Sequence, residues 1–368
     1  MEKIKALNLK GHLLTAISYL IPIVCGAGFL IAIAIGMAFG GTSQGQLVPG
    51  EFTIWDALAT MGGAGLGLLP VVIATGISYA IAEKPGIAPG FIIGLTANAI
   101  GAGFIGGILG GYLAGYLVIA ILRFIKVPNW AKGLMPTLII PFLTSLIGGL
   151  IMVYIIGTPI TAFTNLLTNA LNSLGSSSLL VFGAVIGLLS GVDYGGPINK
   201  TVFAFVLTMQ AEGINGPITA LQLVNTATPI GFGLAFFIAK LFGKNIYTPV
   251  EVETLKSAVP MGVINIVEGV IPIVMNDIVR GLIATAIGGA AGGAVSMVLG
   301  ADATVPFGGV LMLPTMTRPW AGAVALLVNI VVTGITLALI KKNVTEEQVV
   351  AQAEVEEEEI DLDDIQIF

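Results

Sequence analysis

Six stretches of this 368-residue chain, 12–39, 57–82, 134–156, 218–239, 281–299 and 320–340, each hold an apolar run close to the ~20 residues that carry a helix across a bilayer core. Within them Leu, Ile, Val, Ala and Gly follow one another without the two-residue alternation of a lipid-facing barrel strand. The spans are therefore read as helices, which satisfy every backbone polar group inside lipid. Charge agrees with this: 10% of the residues are charged, against roughly 25% in a soluble domain whose surface must face water. The expected class is an all-α polytopic membrane protein.

The formal charge of −6 misleads, because ten of the 21 acidic residues lie between Glu346 and Asp364. Residues 341–368 read as an acidic disordered tail, either a contact for a soluble partner or a solubilising end. Without them the body carries 13 basic and 11 acidic residues. The single cysteine, Cys25, excludes a disulfide framework, and its place in the first span points to inert packing. The one histidine, His12, has no ligand partners at metal spacing. Walker A, GxSxG and HExxH patterns are absent from the sequence. No metal, cofactor, nucleic acid or catalytic residue is expected. Energy for any transport must come from an ion gradient, a partner protein or the solute gradient itself. The N-terminus lacks a cleavable signal pattern, so the first span is expected to be retained.

Basic residues set the expected orientation. Lys3, Lys5 and Lys10 place the N-terminus in the cytoplasm, and the loop 40–56, with Glu51 and Asp56 and no Lys or Arg, is expected outside. Span 57–82 returns to Glu83 and Lys84; residues 86–122 then run between two basic ends, as two short crossings or one re-entrant pair. The uncharged segment 165–178 is expected outside, Lys240, Lys244 and Lys256 mark a cytoplasmic loop, and Lys341 and Lys342 put the C-terminus inside. About ten crossings satisfy these constraints, as do eight with more re-entrant hairpins.

Glycine and proline interrupt several apolar segments: GGPIN at 195–199, EGVIP at 268–272 and VPFGG at 305–309. Broken backbone at membrane depth is tolerated where it is buried in protein or lines a wet cavity, and in transporters such breaks hold substrate. Scattered glycines such as those of 101–115 are better explained by close helix packing. Charges coincide with the breaks. Asp193 and Lys200 flank GGPIN, Glu268 opens EGVIP, Asp277 and Arg280 follow it, and Asp302 precedes VPFGG. A charge at the centre of a span costs ~2.5–3.5 kcal/mol on the insertion scale and usually faces a cavity or a partner. Glu268 is the main functional candidate; Asp193 and Lys200 could instead pair with each other, and Asp277 and Arg280 could mark the membrane interface.

Over residues 10–340 the chain resembles the fructose-type enzyme IIC subunit of the bacterial phosphoenolpyruvate-dependent sugar phosphotransferase system. The resemblance is carried, in family order, by SYLIPIVCGAGFLIAIA (18–34), SYAIAEKPGIAPGFIIG (78–94), GAGFIGGILGGYLAGY (101–116), GVDYGGPINKTVFAF (191–205), INIVEGVIP (264–272) and VPFGGV (305–310). It implies a IIC fold of the glucose/fructose/lactose superfamily, with re-entrant or broken helices, in the bacterial inner membrane. It also implies group translocation: the subunit presents sugar to a soluble IIB partner, charged in turn by IIA, whose phosphocysteine supplies the phosphoryl group. Cys25 lies in the membrane and is not that cysteine, and the chain has no room for a fused IIB domain. The family Glu that hydrogen-bonds sugar is here Glu268, with Asn265, Asp193, Asn199, Gly195 and Gly196 as neighbouring substrate-site residues. Val267 stands where the family has Thr, and Phe307 where many members have a His that contacts sugar or governs phosphorylation, which leaves the particular sugar open.

By this reading residues 1–165 form a scaffold and dimer interface, 166–340 a transport core that moves elevator-fashion in a homodimer, and 341–368 the tail. Two rivals remain at the level of sequence. An ion-coupled secondary transporter would use Asp193, Glu268 and Asp277 as a proton relay, and a membrane scaffold would bind no sugar.

Overall fold

The computed structural model describes residues 8–38, 42, 52–173 and 175–345. Lys3, Lys5, Glu51 and the acidic tail beyond Thr345 lie outside the described residues. Within those residues the chain is helical apart from turns and one isolated bridge between Ala303 and Met316. It divides into two compact units. The first takes the described part of 1–174 together with 203–215 and 305–308; the second takes 175–202, 216–304 and the chain from Gly309.

In the first unit run α1 (Leu9–Met37), α2 (Ile54–Gly67), α3 (Leu69–Ala82), α4 (Ile87–Ala99), α5 (Gly103–Phe124), α6 (Ile140–Ile151) and α7 (Gly157–Asn172). The expected span 57–82 is two helices, α2 and α3, bent by 45° at Leu68. Pro70 lies in the first turn of α3, where its missing N–H costs nothing. Residues 86–122 resolve into the short α4 and a full-length α5, joined by a turn at 100–102. π-turns at Met135–Ile139 and Met152–Ile156 flank α6 and extend it to a span over Met135–Ile160. The glycines of α5 pack closely: side chains at Gly107 and Gly111 would strike the backbone of Pro70 and Ala74 on α3.

The second unit holds α8 (Ser176–Gly191), the start of α9 (Pro197–Ala211), α10 (Gly216–Leu241), α11 (Pro249–Val263), the one-turn α12 (Ile271–Met275), α13 (Ile278–Leu299) and α14 (Pro319–Ile340). Helices α8 and α13 touch backbone to backbone. Gly183 and Gly187 lie against Gly293 and Gly289, and Gly191 against the Thr285 carbonyl, so a methyl group at any of these glycines would meet main chain. This four-residue spacing of small residues is the packing that lets helices associate in lipid. It fixes the end of α8, and with it the turn that follows.

Six described helices are long and apolar enough to span a bilayer, namely α1, α5, Met135–Ile160, α10, α13 and α14, and the bent α2–α3 pair makes a seventh.

Candidate functional site

The site is built from two interruptions in the second unit. The first is the turn after α8. Tyr194 (φ 47°) and Gly195 (φ 85°) are left-handed, which reverses the chain before Pro197 opens α9. The Asp193 carboxylate accepts from the backbone N–H groups of Ile198 (2.5 Å) and Asn199 (3.0 Å), capping the otherwise unpaired start of α9. Asp193 therefore does not pair with Lys200; the ion pairs among the described residues are Lys256–Glu253, Arg280–Asp277 and Lys341–Glu251. Tyr194 turns inward, its hydroxyl 3.1 Å from that of Thr285 on α13. The Thr285 hydroxyl also lies 2.6 Å from the Gly191 carbonyl.

The second interruption follows α11. Asn265 is left-handed (φ 70°), a conformation Asn tolerates better than most side chains. A 3₁₀ turn over Glu268–Val270 comes next, then α12, with Pro272 in its first turn. Pro272 thus starts a short helix rather than kinking a long one. Glu268 is exposed and enters no ion pair or hydrogen bond among the described residues. Its carboxylate lies directly against Gly195, where any side chain would collide with it.

Of the sequence-predicted residues, the structure brings Glu268 and Gly195 into contact. Gly196 packs against Asp193, while Asn199 and Asn265 are buried with both amides engaged. The Asn199 amide reaches the Ser190 carbonyl and Asn225; that of Asn265 reaches Gln222, and its carbonyl accepts from the Thr226 hydroxyl. The third interruption, at 305–309, divides between the units. Gly309 (φ 60°) lies against Val263 and Ile264, just ahead of Asn265. Phe307 belongs to the first unit, where its half-buried ring meets Phe29 edge to face at 5.6 Å. Asp302 accepts from the Thr317 backbone N–H at 3.0 Å and from its hydroxyl, a structural clamp on the chain entering α14.

Sequence reasoning missed the polar face of α10, Gln222, Asn225 and Thr226. It also missed a polar cavity of about 440 Å³ lined by Glu251, Asn276, Asp277, Arg280, Lys341 and Lys342 among others, which does not include Glu268. There Glu251 accepts from the backbone N–H of Thr248 (2.8 Å), from the Asn276 amide (3.1 Å) and from Lys341 (2.9 Å). Burial pushes the Lys341 ammonium below its ordinary range against the pull of Glu251. Burial likewise holds the Tyr247 hydroxyl well above its own, reinforced by Glu251.

Lipid-length helices interrupted by polar turns that converge on one unpaired carboxylate define a multi-pass membrane protein of the solute-permease class. No family model matches the chain. It is, however, 32% identical to the PTS system fructose-specific EIIC component of Haloferax volcanii, covering 91% of this chain and 93% of that protein. It is 31% identical to the fructose-like permease IIC component 2 of Escherichia coli, over 91% of each. A longer relative, the fructose-specific EIIB'BC component of Escherichia coli, is 36% identical over 90% of this chain, which spans 58% of that protein. The chain belongs to the fructose-type IIC permease family of the sugar phosphotransferase system.

Proposed function

We propose that this permease binds a fructose-like sugar at Glu268 and carries it inward for phosphorylation by a partner IIB subunit, which IIA recharges. One observation carries the reading. Glu268 offers an exposed, unpaired carboxylate on a broken segment, against the bare backbone of Gly195. A carboxylate accepts from adjacent sugar hydroxyls in charge-assisted hydrogen bonds, roughly twice as strong as neutral ones. The missing side chain at Gly195 lets the Glu268 carboxylate rest beside the main chain. Asp193, Asn199 and Asn265 hold the two segments. Relatives that join B and C regions in one name support a IIB partner.

In the reaction the P–S bond of the IIB phosphocysteine breaks, a P–O bond forms to a sugar hydroxyl, and the proton of that hydroxyl balances the cysteine thiolate that leaves, regenerating the thiol. The permease supplies no catalytic residue; its task is to present the hydroxyl in line. In this reading the chain crosses the bacterial inner membrane about ten times with both termini cytoplasmic, in a fold of the glucose/fructose/lactose superfamily. Residues 166–340 move as a body, and two copies pair through 1–165. Proton coupling is the weaker reading, because two of its three relay carboxylates are occupied: Asp193 caps α9 and Asp277 pairs with Arg280 at 3.0 Å.

The test is fructose binding by purified protein, with uptake by cells that carry the partner subunits. Glu268→Gln keeps shape and loses charge, so it weakens binding about tenfold, the difference between a charged and a neutral hydrogen bond; Glu268→Ala weakens it more. Uptake requires IIB and yields sugar phosphate. Accumulation of unmodified fructose that collapses with an uncoupler would instead establish an ion-coupled carrier.

A further inference from the structure

Helix α10 carries a buried polar row through the middle of an apolar span: Thr219, Gln222, Asn225, Thr226 and Thr228. Gln222, Asn225 and Thr226 are three and four residues apart and so share one face. Each is spent on an interruption of the chain. The side-chain carbonyl of Asn225 accepts from the amide of Asn199 (2.8 Å) and the hydroxyl of Ser190 (2.9 Å), which bracket the 193–196 turn. The side-chain carbonyl of Gln222 accepts from the amide of Asn265 (2.6 Å), and the Thr226 hydroxyl shares its one proton between the side-chain carbonyl of Asn265 (2.9 Å) and the backbone carbonyl of Gln222 (2.8 Å). Asn265 in turn is the left-handed residue that starts the turn into Glu268.

One helix face therefore fastens both segments whose tips meet at Gly195 and Glu268. Buried amides left unpaired are costly, so each bond resists sliding of its segment.

We propose that Gln222, Asn225 and Thr226 are positioning residues for sugar recognition, setting the place of the Glu268 carboxylate relative to the Gly195 backbone. The proposal rests on Glu268 being the sugar anchor. The sugar touches Glu268, and the α10 side chains act through Asn265 and Asn199.

The experiment measures fructose affinity by calorimetry on the purified full chain, for Thr226→Val, Thr226→Ser and Gln222→Met, each in the parent and in a Glu268→Gln background. Thr226→Val keeps the volume and removes the donor, and it should weaken binding about fivefold, the worth of one neutral hydrogen bond. Thr226→Ser restores the hydroxyl and the affinity. In the Glu268→Gln background, where the anchor is already impaired, Thr226→Val should change affinity less than about twofold. Gln222→Met reads the neighbouring bond to Asn265 and should behave as Thr226→Val does, which covers the case where one variant fails to fold. Parent-like affinity in both Thr226→Val and Gln222→Met would overturn the inference and leave Glu268 untouched. A loss of equal size in both backgrounds would also overturn it, since the effect then does not run through Glu268. If Glu268→Gln binds fructose as the parent does, the site reading and the inference fall together.

Discussion

Lys341 donates a 2.9 Å hydrogen bond to Glu251 with its side chain only 7% exposed and that of Glu251 4% exposed, and its ammonium lies 4.3 Å from the centre of the Tyr247 ring. The pair ties the end of α14 to the first turn of α11, where Glu251 also completes a capping box with Thr248. Breaking such a pair from one side strands a buried charge. Glu251→Gln is therefore expected to destabilise the protein by ~3–5 kcal/mol, whereas Glu251→Met with Lys341→Met is expected to recover most of the loss. Thermal unfolding in one detergent measures both; equal losses in the single and double variants would show that burial of the ion pair is not what is at stake.

The same lysine gives a pH signature. Its folded pKa lies below its ordinary value, so in the window just below ~10.4 the unfolded chain holds more protons than the folded one, and stability from this group rises with pH. Tyr247, held well above its ordinary value, stays protonated in the folded state across that window. The stability gap between the parent and Lys341→Met should accordingly shift in favour of the parent as pH rises from about 8 to about 9.5. Chemical denaturation at several pH values follows it. A gap that shifts the other way would mean that Glu251, not burial, dominates the lysine.

The ring of Phe307 meets Phe29 edge to face. Phe307→Ala should cost about 1–2 kcal/mol, less than for a fully buried Phe because its ring is not fully buried. Phe307→His keeps most of the volume and adds donors, and it is expected to change the ratio of fructose affinity to that for other hexoses. Competition binding reads that ratio; an unchanged ratio would reduce Phe307 to packing against α1.

Much of this arrangement is legible in the residues themselves. The apolar runs announced their helices, because length and unbroken hydrophobicity leave few alternatives in lipid. The bend at Leu68 escaped notice since Gly67 and Pro70 lie inside a run that stays apolar throughout. Glu268 was visible as a charge at a break. Its contact with Gly195 was not, because the two are far apart in sequence and meet only once α8 and α13 have packed through their glycines. The row Gln222, Asn225, Thr226 could have been read: uncharged amides three and four residues apart in an apolar span mark a buried polar face. A search directed at charges passes over them. Asp193 carries a role that the residues alone do not show: its carboxylate caps the start of α9.

The contact between Gly195 and Glu268 can be tested against a control inside the same protein. Gly195 has φ 85° and Gly213 has φ 83°, so alanine at either is strained to a similar degree, about 1–2 kcal/mol. Their surroundings differ. Gly213 has open space where a side chain would go, while Gly195 has the Glu268 carboxylate. Glu268 is exposed and can swing aside, so Gly195→Ala should not add much instability; it should displace the anchor from its place beside the main chain. Both alanine variants are therefore expected to lower the unfolding midpoint alike. Gly213→Ala should bind fructose as the parent does, and Gly195→Ala should bind it roughly tenfold more weakly, as if the charged hydrogen bond were lost. In a Glu268→Ala background Gly195→Ala should add little further loss, since nothing remains to displace. Equal affinities for the Gly195→Ala and Gly213→Ala variants would mean that the sugar does not use the carboxylate where it rests against Gly195.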